Sequence, residues 1–196
     1  MTYSIIGSGN VGSALARQFA RSGIAVGVAN TRGPESIGPL QKELAGYVTA
    51  LSLQDAVKAD VVILAVPFSA HRAVARAGAP WDEKIVVDAM NTYGVPPEEL
   101  NGHPSSVVVA SAFVGARVVK SLNQLPAKLL ASNPVEHGGR RVMFVAGDEE
   151  RAVASVSKLV GDLGFAPIAL GTLAGVGTLL DKGGALVLQN LVKQQG

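Results

Sequence analysis

The 196-residue chain contains no cysteine. That single absence excludes zinc–cysteine centres, iron–sulfur clusters, thiol nucleophiles and disulfide scaffolds. Aromatic residues make up only 5% of the chain, too few for the stacking platforms that bind single-stranded nucleic acid. Charge is also scarce: 17 Lys and Arg stand against 15 Asp and Glu, a net charge of +2 with no basic run or stripe, so no nucleic-acid partner is expected. The three histidines, His71, His103 and His137, lie far apart and lack metal-ligand spacing, and no metal is expected. The longest uncharged run, from Leu163 to Leu180, is broken by Gly164, Pro167, Gly171, Gly175 and Gly177. It reads as a strand, a turn and a helix start, and no membrane association is expected. Residues 1–6 already read as strand and lack a basic, then apolar, leader, so a cytoplasmic protein is the expectation. G-x-S-x-G and G-x-x-x-x-G-K motifs are missing, which removes α/β-hydrolase and P-loop readings. Neither Tyr47 nor Tyr93 has a lysine four residues on, so the tyrosine–lysine pair of short-chain dehydrogenases is missing too.

What is present is glycine, 23 residues of it, inside a rhythm of short apolar run, turn and helical pattern. Strands are predicted at Ser4–Ile6, Ile24–Ala29, Tyr47–Leu51, Val61–Val66, Ile85–Val87, Val107–Val109, Arg141–Ala146 and Pro167–Leu170. Val61–Val66 is apolar on both faces, as a central parallel strand must be. Val11, Ala14, Leu15 and Phe19 share one helical face. A second helix is predicted after Gly147, capped by Asp148, with Glu149 and Glu150 in its first turn and Gly164 at its end. A closing helix over about residues 174–193 is predicted from Val176, Leu179, Leu180, Val187, Leu188 and Leu191. Gly183–Gly184 opposes it, since two glycines cost about 2 kcal/mol in a helix interior. Its leucine stripe is a candidate homodimer surface. Alternating β and α units predict an α/β, doubly wound Rossmann fold with a mainly parallel sheet and a short C-terminal helical elaboration, as one domain over residues 1–196.

Gly7-Ser8-Gly9-Asn10-Val11-Gly12 fits G-x-G-x-x-G between a strand and an amphipathic helix, the context in which that motif binds a dinucleotide. Gly7 permits the turn, Gly9 admits the pyrophosphate and Gly12 lets the helix pack on the strand. An NAD site would carry a carboxylate about 20 residues on. The chain has Asn30-Thr31-Arg32 there instead, a hydroxyl and a guanidinium suited to a 2′-phosphate, so NADP(H) is the expected cofactor.

Further segments extend the pattern: Ala59–Pro67, Lys84–Asn91, Val118–Ala127 and Ala146–Asp148. Together with the first two they resemble the NADP oxidoreductases that use the deazaflavin coenzyme F-420, and the related reductase domains of metal-reducing membrane proteins. The resemblance runs along nearly the whole chain. It implies direct hydride transfer between NADPH and a planar ring without a side-chain acid or base. It implies that Ser8, Asn10 and Val11 line the pyrophosphate and that Thr31 and Arg32 hold the 2′-phosphate. Val66 and Pro67 would lie along the cofactor, Ala89, Met90 and Asn91 near the nicotinamide ribose, and Asn123, Pro126 and Ala127 over the nicotinamide. A deazaflavin or flavin is the implied second substrate, although no basic cluster for an acidic deazaflavin tail stands out.

Three alternatives stay open: a flavin or ferric reductase, an imine or carbonyl reductase, and an NADPH-binding sensor without turnover. A carbonyl or imine acceptor needs a proton donor, for which His71, just past the strand end at Pro67, is the candidate. Its competing reading is an exposed helix-start histidine. Lys182 reads as a surface residue, and Asp60 and Asp88 as turn-forming residues at strand ends.

Overall fold

A computed structural model describes residues 1–78 and 80–194. The order is β1 (Tyr3–Ile6), α1 (Asn10–Arg21), β2 (Val26–Ala29), α2 (Gly38–Glu43), β3 (Val48–Ala50), α3 (Leu53–Ala56), β4 (Val61–Leu64) and α4 (His71–Gly78). Then come β5 (Ile85–Asp88), α5 (Ser105–Ala112), β6 (Arg117–Lys120), α6 (Ala127–Leu130), β7 (Val135–Glu136), β8 (Gly139–Gly147), α7 (Glu150–Asp162), β9 (Ala166–Gly171), α8 (Leu173–Leu180) and β10 (Val192–Gln194).

The strands join in the order β10-β8-β6-β5-β4-β1-β2-β3, with β7 and β9 also paired to β8. From β3 to β6 every neighbour is parallel, while β8 runs antiparallel to β6 and parallel to β9. Ile5 lies level with Val28 and Ile63, Ile63 with Val87, and Val87 with Val119. Alternate side chains therefore sort to opposite faces. Ile5, Ile63, Val87 and Val119 pack with Leu15 and Phe19 of α1 and Val156 and Leu159 of α7. Ile6, Val62, Leu64, Val86 and Val118 pack on the other face with Val74 of α4, Val109 of α5, Trp81 and Phe113. Both faces are covered, as a parallel sheet requires, and the doubly wound Rossmann class holds.

Several local expectations change. Val107–Val109 belongs to α5, not to a strand. The N-terminus of α5 is held by a residue far along the chain, because the Asp181 carboxylate accepts from Ser105 N (3.0 Å) and Ser105 Oγ. An acid there satisfies free backbone donors and suits the helix dipole, which outweighs the β preference of three valines. The strand in this part of the chain is β6 instead. The cap of α7 is Glu149, which accepts from Arg151 N and Ala152 N, whereas Asp148 accepts from Leu173 N at the start of α8.

The closing helix is also shorter than expected, because α8 ends at Leu180. Gly183 has φ +83°, and a Cβ on Gly184 would stand 2.3 Å from the carbonyl oxygen of Thr178, so the chain turns back over the helix end. Residues 192–194 then add β10 to β8. The three exposed leucines of this region, Leu179, Leu188 and Leu191, consequently do not form one helical stripe. Among the described residues, no helix is long and apolar enough to cross a membrane.

Candidate functional site

The glycine turn between β1 and α1 has the geometry its residue types dictate. Gly7 adopts φ +117°, and a Cβ there would stand 2.1 Å from the Ala65 carbonyl oxygen. A Cβ on Gly12 would stand 1.9 Å from the Gly7 carbonyl oxygen, so α1 rests directly on the turn. A Cβ on Gly9 would meet nothing within 4 Å: its outer side is open. Gly9 is the N-cap of α1 and no side chain caps the helix. The backbone N–H groups of its first turn, at Asn10, Val11 and Gly12, are the unpaired donors that favour an anion.

The turn forms one wall of a groove of ≈ 430 Å³ along the C-terminal ends of β1, β2 and β4. Gly7, Ser8 and Gly9 line it from β1, Asn30, Thr31 and Arg32 from β2, and Val66 and Pro67 from β4. Asn30 organises the β2 end. Its Nδ2 donates to Ser8 Oγ (2.7 Å) and Ser36 Oγ (2.9 Å), and its Oδ1 accepts from Arg32 N (2.8 Å). The Arg32 side chain borders this groove and a smaller hollow beside it, with Ser8, Ser13, Arg17 and Ser36. Among the described residues no carboxylate pairs with the Arg32 guanidinium. Arg17, by contrast, is bound to Glu43 at 2.7 and 2.8 Å. That contact raises the Arg17 pKa and holds the Glu43 carboxyl below its ordinary range, chiefly through the hydrogen bond.

The apolar wall of the groove includes Leu53, Ala70, Ala73 and Val74. Sequence reasoning missed these residues. The spacing of Ala70, Ala73 and Val74, three and four apart, puts them on one face of the helical turn that leads into α4 and is the signal that could have found them.

The other expected residues form a second cluster over β5 and β6, outside the lining of that groove. Ala89 and Met90 are 3% and 2% exposed, and their side chains belong to the core at the β5 exit. Asn91 and Asn123 bind each other: Asn91 Nδ2 donates to Asn123 O (2.9 Å), and Asn123 Nδ2 donates to Asn91 Oδ1 (3.0 Å) and to Leu180 O (2.7 Å). Pro126 is exposed, and Ala127 is half-buried at the start of α6. Beneath them lies a buried ion pair that the sequence did not reveal. Lys120 Nζ stands 3.1 Å from Asp88 Oδ2 and donates to Met90 O at 2.7 Å. Asp88 also accepts from Met90 N (3.0 Å) and Ser106 Oγ (2.6 Å). The pair fixes the β5 exit from both sides. Asp60, just before β4, ties the chain to the start of β1 instead of closing a local turn: it accepts from Thr2 N and Thr2 Oγ1, and these bonds hold its carboxyl below the usual range.

His71 is neither exposed nor in the groove. It is 2% exposed, its Nδ1 lies 2.5 Å from Phe68 O, and its ring is 4.7 Å from that of Phe68. A larger groove of ≈ 480 Å³, bordered by Asp60, Glu83, Arg117 and Arg151, sits at the opposite edge of the sheet, away from the glycine turn. Ligands of open α/β sheets bind outside the carboxyl ends of the strands, which makes the groove at the glycine turn the candidate site.

Comparison with known proteins agrees with this geometry. Residues 2–92 match the family described as NADP oxidoreductase coenzyme F420-dependent. That match takes in the glycine turn and the chain from β1 to β5, somewhat under half of its length. A hypothetical protein, SMa0349, from Sinorhizobium meliloti has a structure that superposes with TM-score 0.95 at 42% identity, covering 99% of this chain and 96% of that one. A protein from Arthrobacter sp. FB24, provisionally described as an F420-dependent NADP reductase, superposes with TM-score 0.74 at 27% identity, covering 92% and 90%. The rat (Rattus norvegicus) metalloreductase STEAP3 is 30% identical over 172 residues, 87% of this chain. The present chain spans 34% of the length of that curated relative. An Aspergillus terreus reductive aminase, solved with NADPH, shares the fold at TM-score 0.68 and 23% identity.

Proposed function

We propose that the chain is an NADPH-dependent reductase that passes hydride to a planar acceptor such as a deazaflavin or flavin. The observation that carries the cofactor half of this reading is the unpaired Arg32 guanidinium at the β2 end of the groove, where an NAD enzyme would carry a carboxylate. The residues present fit NADP(H). Gly9 leaves open space beside free helix N–H groups for the pyrophosphate. Thr31 and Arg32 would hold the 2′-phosphate, with Asn30 fixing Arg32 through its backbone and Ser8 through its hydroxyl. Leu53, Ala70 and Val74 offer an apolar wall to the adenine, and Val66 and Pro67 lead on toward the β4 and β5 ends.

When bound, NADPH supplies the hydride; the chain's part is to orient, to exclude water and to keep the 2′-phosphate neutralised. Among the described residues, the only ionisable side chain lining the groove is Arg32, and the buried His71 is outside that lining. The family matched by residues 2–92 is described as coenzyme F420-dependent, and a planar ring of that kind spreads the added charge and needs no acid in this groove, which favours a deazaflavin or flavin.

The test is NADPH oxidation followed at 340 nm in a stopped-flow instrument with deazaflavin, flavin, ferric-chelate and imine acceptors. Oxidation by a deazaflavin or flavin without preference for an acidic buffer supports the reading. Tight NADPH binding with no oxidation by any of the four overturns it in favour of an NADPH sensor.

A further inference from the structure

Asn123 gathers two separate stretches of chain at the β5–β6 end of the sheet: its carbonyl accepts from Asn91 Nδ2, and its Nδ2 donates to Asn91 Oδ1 and to Leu180 O at the end of α8. Two residues beyond each anchor stands a residue that the cofactor site does not use. Tyr93 follows Asn91 and is 61% exposed. Lys182 follows Leu180, and its Nζ stands 5.4 Å from the centre of the Tyr93 ring. An exposed tyrosine does not by itself demand explanation. A tyrosine and a lysine from chain segments some 90 residues apart, both held in place by the knot beneath them, do.

Their charges and positions narrow the use. Among the described residues no carboxylate pairs with Lys182. Its neighbour Asp181 is committed to Ser105 N and Ser105 Oγ at the start of α5. Going across the sheet from β2 to β1, β4 and β5, the groove covers the first three strand ends, and Tyr93 lies beyond the fourth. A dinucleotide anchored by its 2′-phosphate at Arg32 therefore runs toward Tyr93 and Lys182, not away from them.

We propose that Tyr93 and Lys182 form the acceptor-binding wall of this reductase: the ring stacks on a planar acceptor and the ammonium takes that acceptor's anionic arm. The proposal rests on the hydride-transfer reading above and deepens it, because it restricts the acceptor to planar rings that carry a phosphate or carboxylate. It also supplies the cation for such an arm that no basic cluster in the sequence revealed. A planar ring on the Tyr93 face that Lys182 leaves free gains stacking energy, and the ammonium on the other side offers an anionic arm a charge-assisted contact.

The test uses two flavins with one ring system, FMN with a phosphate and riboflavin without. Binding of each to the NADP⁺-saturated protein is followed by quenching of flavin fluorescence. The unaltered protein binds FMN about tenfold or more tightly than riboflavin, as a charge-assisted contact implies. Lys182→Met abolishes that preference and leaves riboflavin and NADPH affinities unchanged, and Lys182→Arg retains the preference. Tyr93→Ala weakens both flavins by roughly fivefold or more, the range of a lost stacking contact. Equal binding of FMN and riboflavin by the unaltered protein, no binding of either, or an equal loss of both in Lys182→Met overturns the proposal. Should the FMN preference behave as described while no flavin oxidises NADPH, the wall stands and the hydride-transfer reading falls.

Discussion

Over β1, β2 and β4, the polar groups at the C-terminal edge of the sheet face an open groove; over β5 and β6, they face one another. In the first half Gly9 has empty space beside it, α1 has no side-chain cap and Arg32 has no carboxylate partner among the described residues. In the second half Asp88 binds Lys120, Ser106 and the Met90 backbone, and Asn91 and Asn123 bind each other. The difference is between donors left free for a ligand and donors used to hold loops. A buried polar group without a partner is costly, so groups left free persist only where solvent or a ligand reaches them. The groups of the second half are 0–4% exposed and pair chiefly with one another, Asn91 alone being less deeply buried, while Asn123 Oδ1 and the Gln124 side-chain amide are left without a partner.

Substitutions separate the two halves, and the largest effect belongs to the closed one. Lys120→Met leaves the Asp88 carboxylate buried without its cation, and stability in urea unfolding should fall by about 3–5 kcal/mol. A loss below about 1 kcal/mol would mean that the pair does not anchor the β5 exit. In the open half the second and third glycines of the turn, Gly9 and Gly12, should part company. Gly12→Ala forces its Cβ against the Gly7 carbonyl oxygen and should cost about 1–3 kcal/mol of stability together with NADPH affinity. Gly9→Ala meets nothing in the protein, so unfolding should change by less than about 0.5 kcal/mol while NADPH binding weakens. Equal stability losses in the two variants would erase the distinction.

The smallest effect sits at the rim. The Arg17–Glu43 pair is 39% and 47% exposed on its two side chains and contributes about 1 kcal/mol at most. Because the hydrogen bond from Arg17 holds the Glu43 carboxyl below its ordinary range, that contribution is present at neutral pH and disappears as the pH falls through the depressed value. The stability gap between the unaltered protein and Glu43→Gln should therefore close in acid.

The same contrast explains what could be read in the sequence. The open half is local: strand, glycine turn and helix are contiguous, and Asn30-Thr31-Arg32 ends the next strand, so spacing alone placed the groove. The closed half is assembled from residues distant in sequence. Lys120 meets Asp88 across 32 positions and Asp181 caps α5 across 76, and neither contact leaves a local trace. That is why Val107–Val109 reads as a strand until Asp181 is in place, and why Asp148 reads as the cap of the helix beside it while it serves α8. His71 misleads for a related reason: its position after β4 suggests the site edge, but its ring packs inward on Phe68. The long closing helix fails locally instead, at Gly183–Gly184, where the backbone turns back on α8.

The central claim is that Arg32 makes the open groove an NADPH site. The direct measurement is the affinity of NADPH and NADH for the unaltered protein and for Arg32→Ala by isothermal titration calorimetry. A charge-assisted contact is worth about 1.5–3 kcal/mol, so NADPH should weaken by roughly 10- to 150-fold and NADH should scarcely change. Equal losses for the two cofactors, or none for either, would contradict the account.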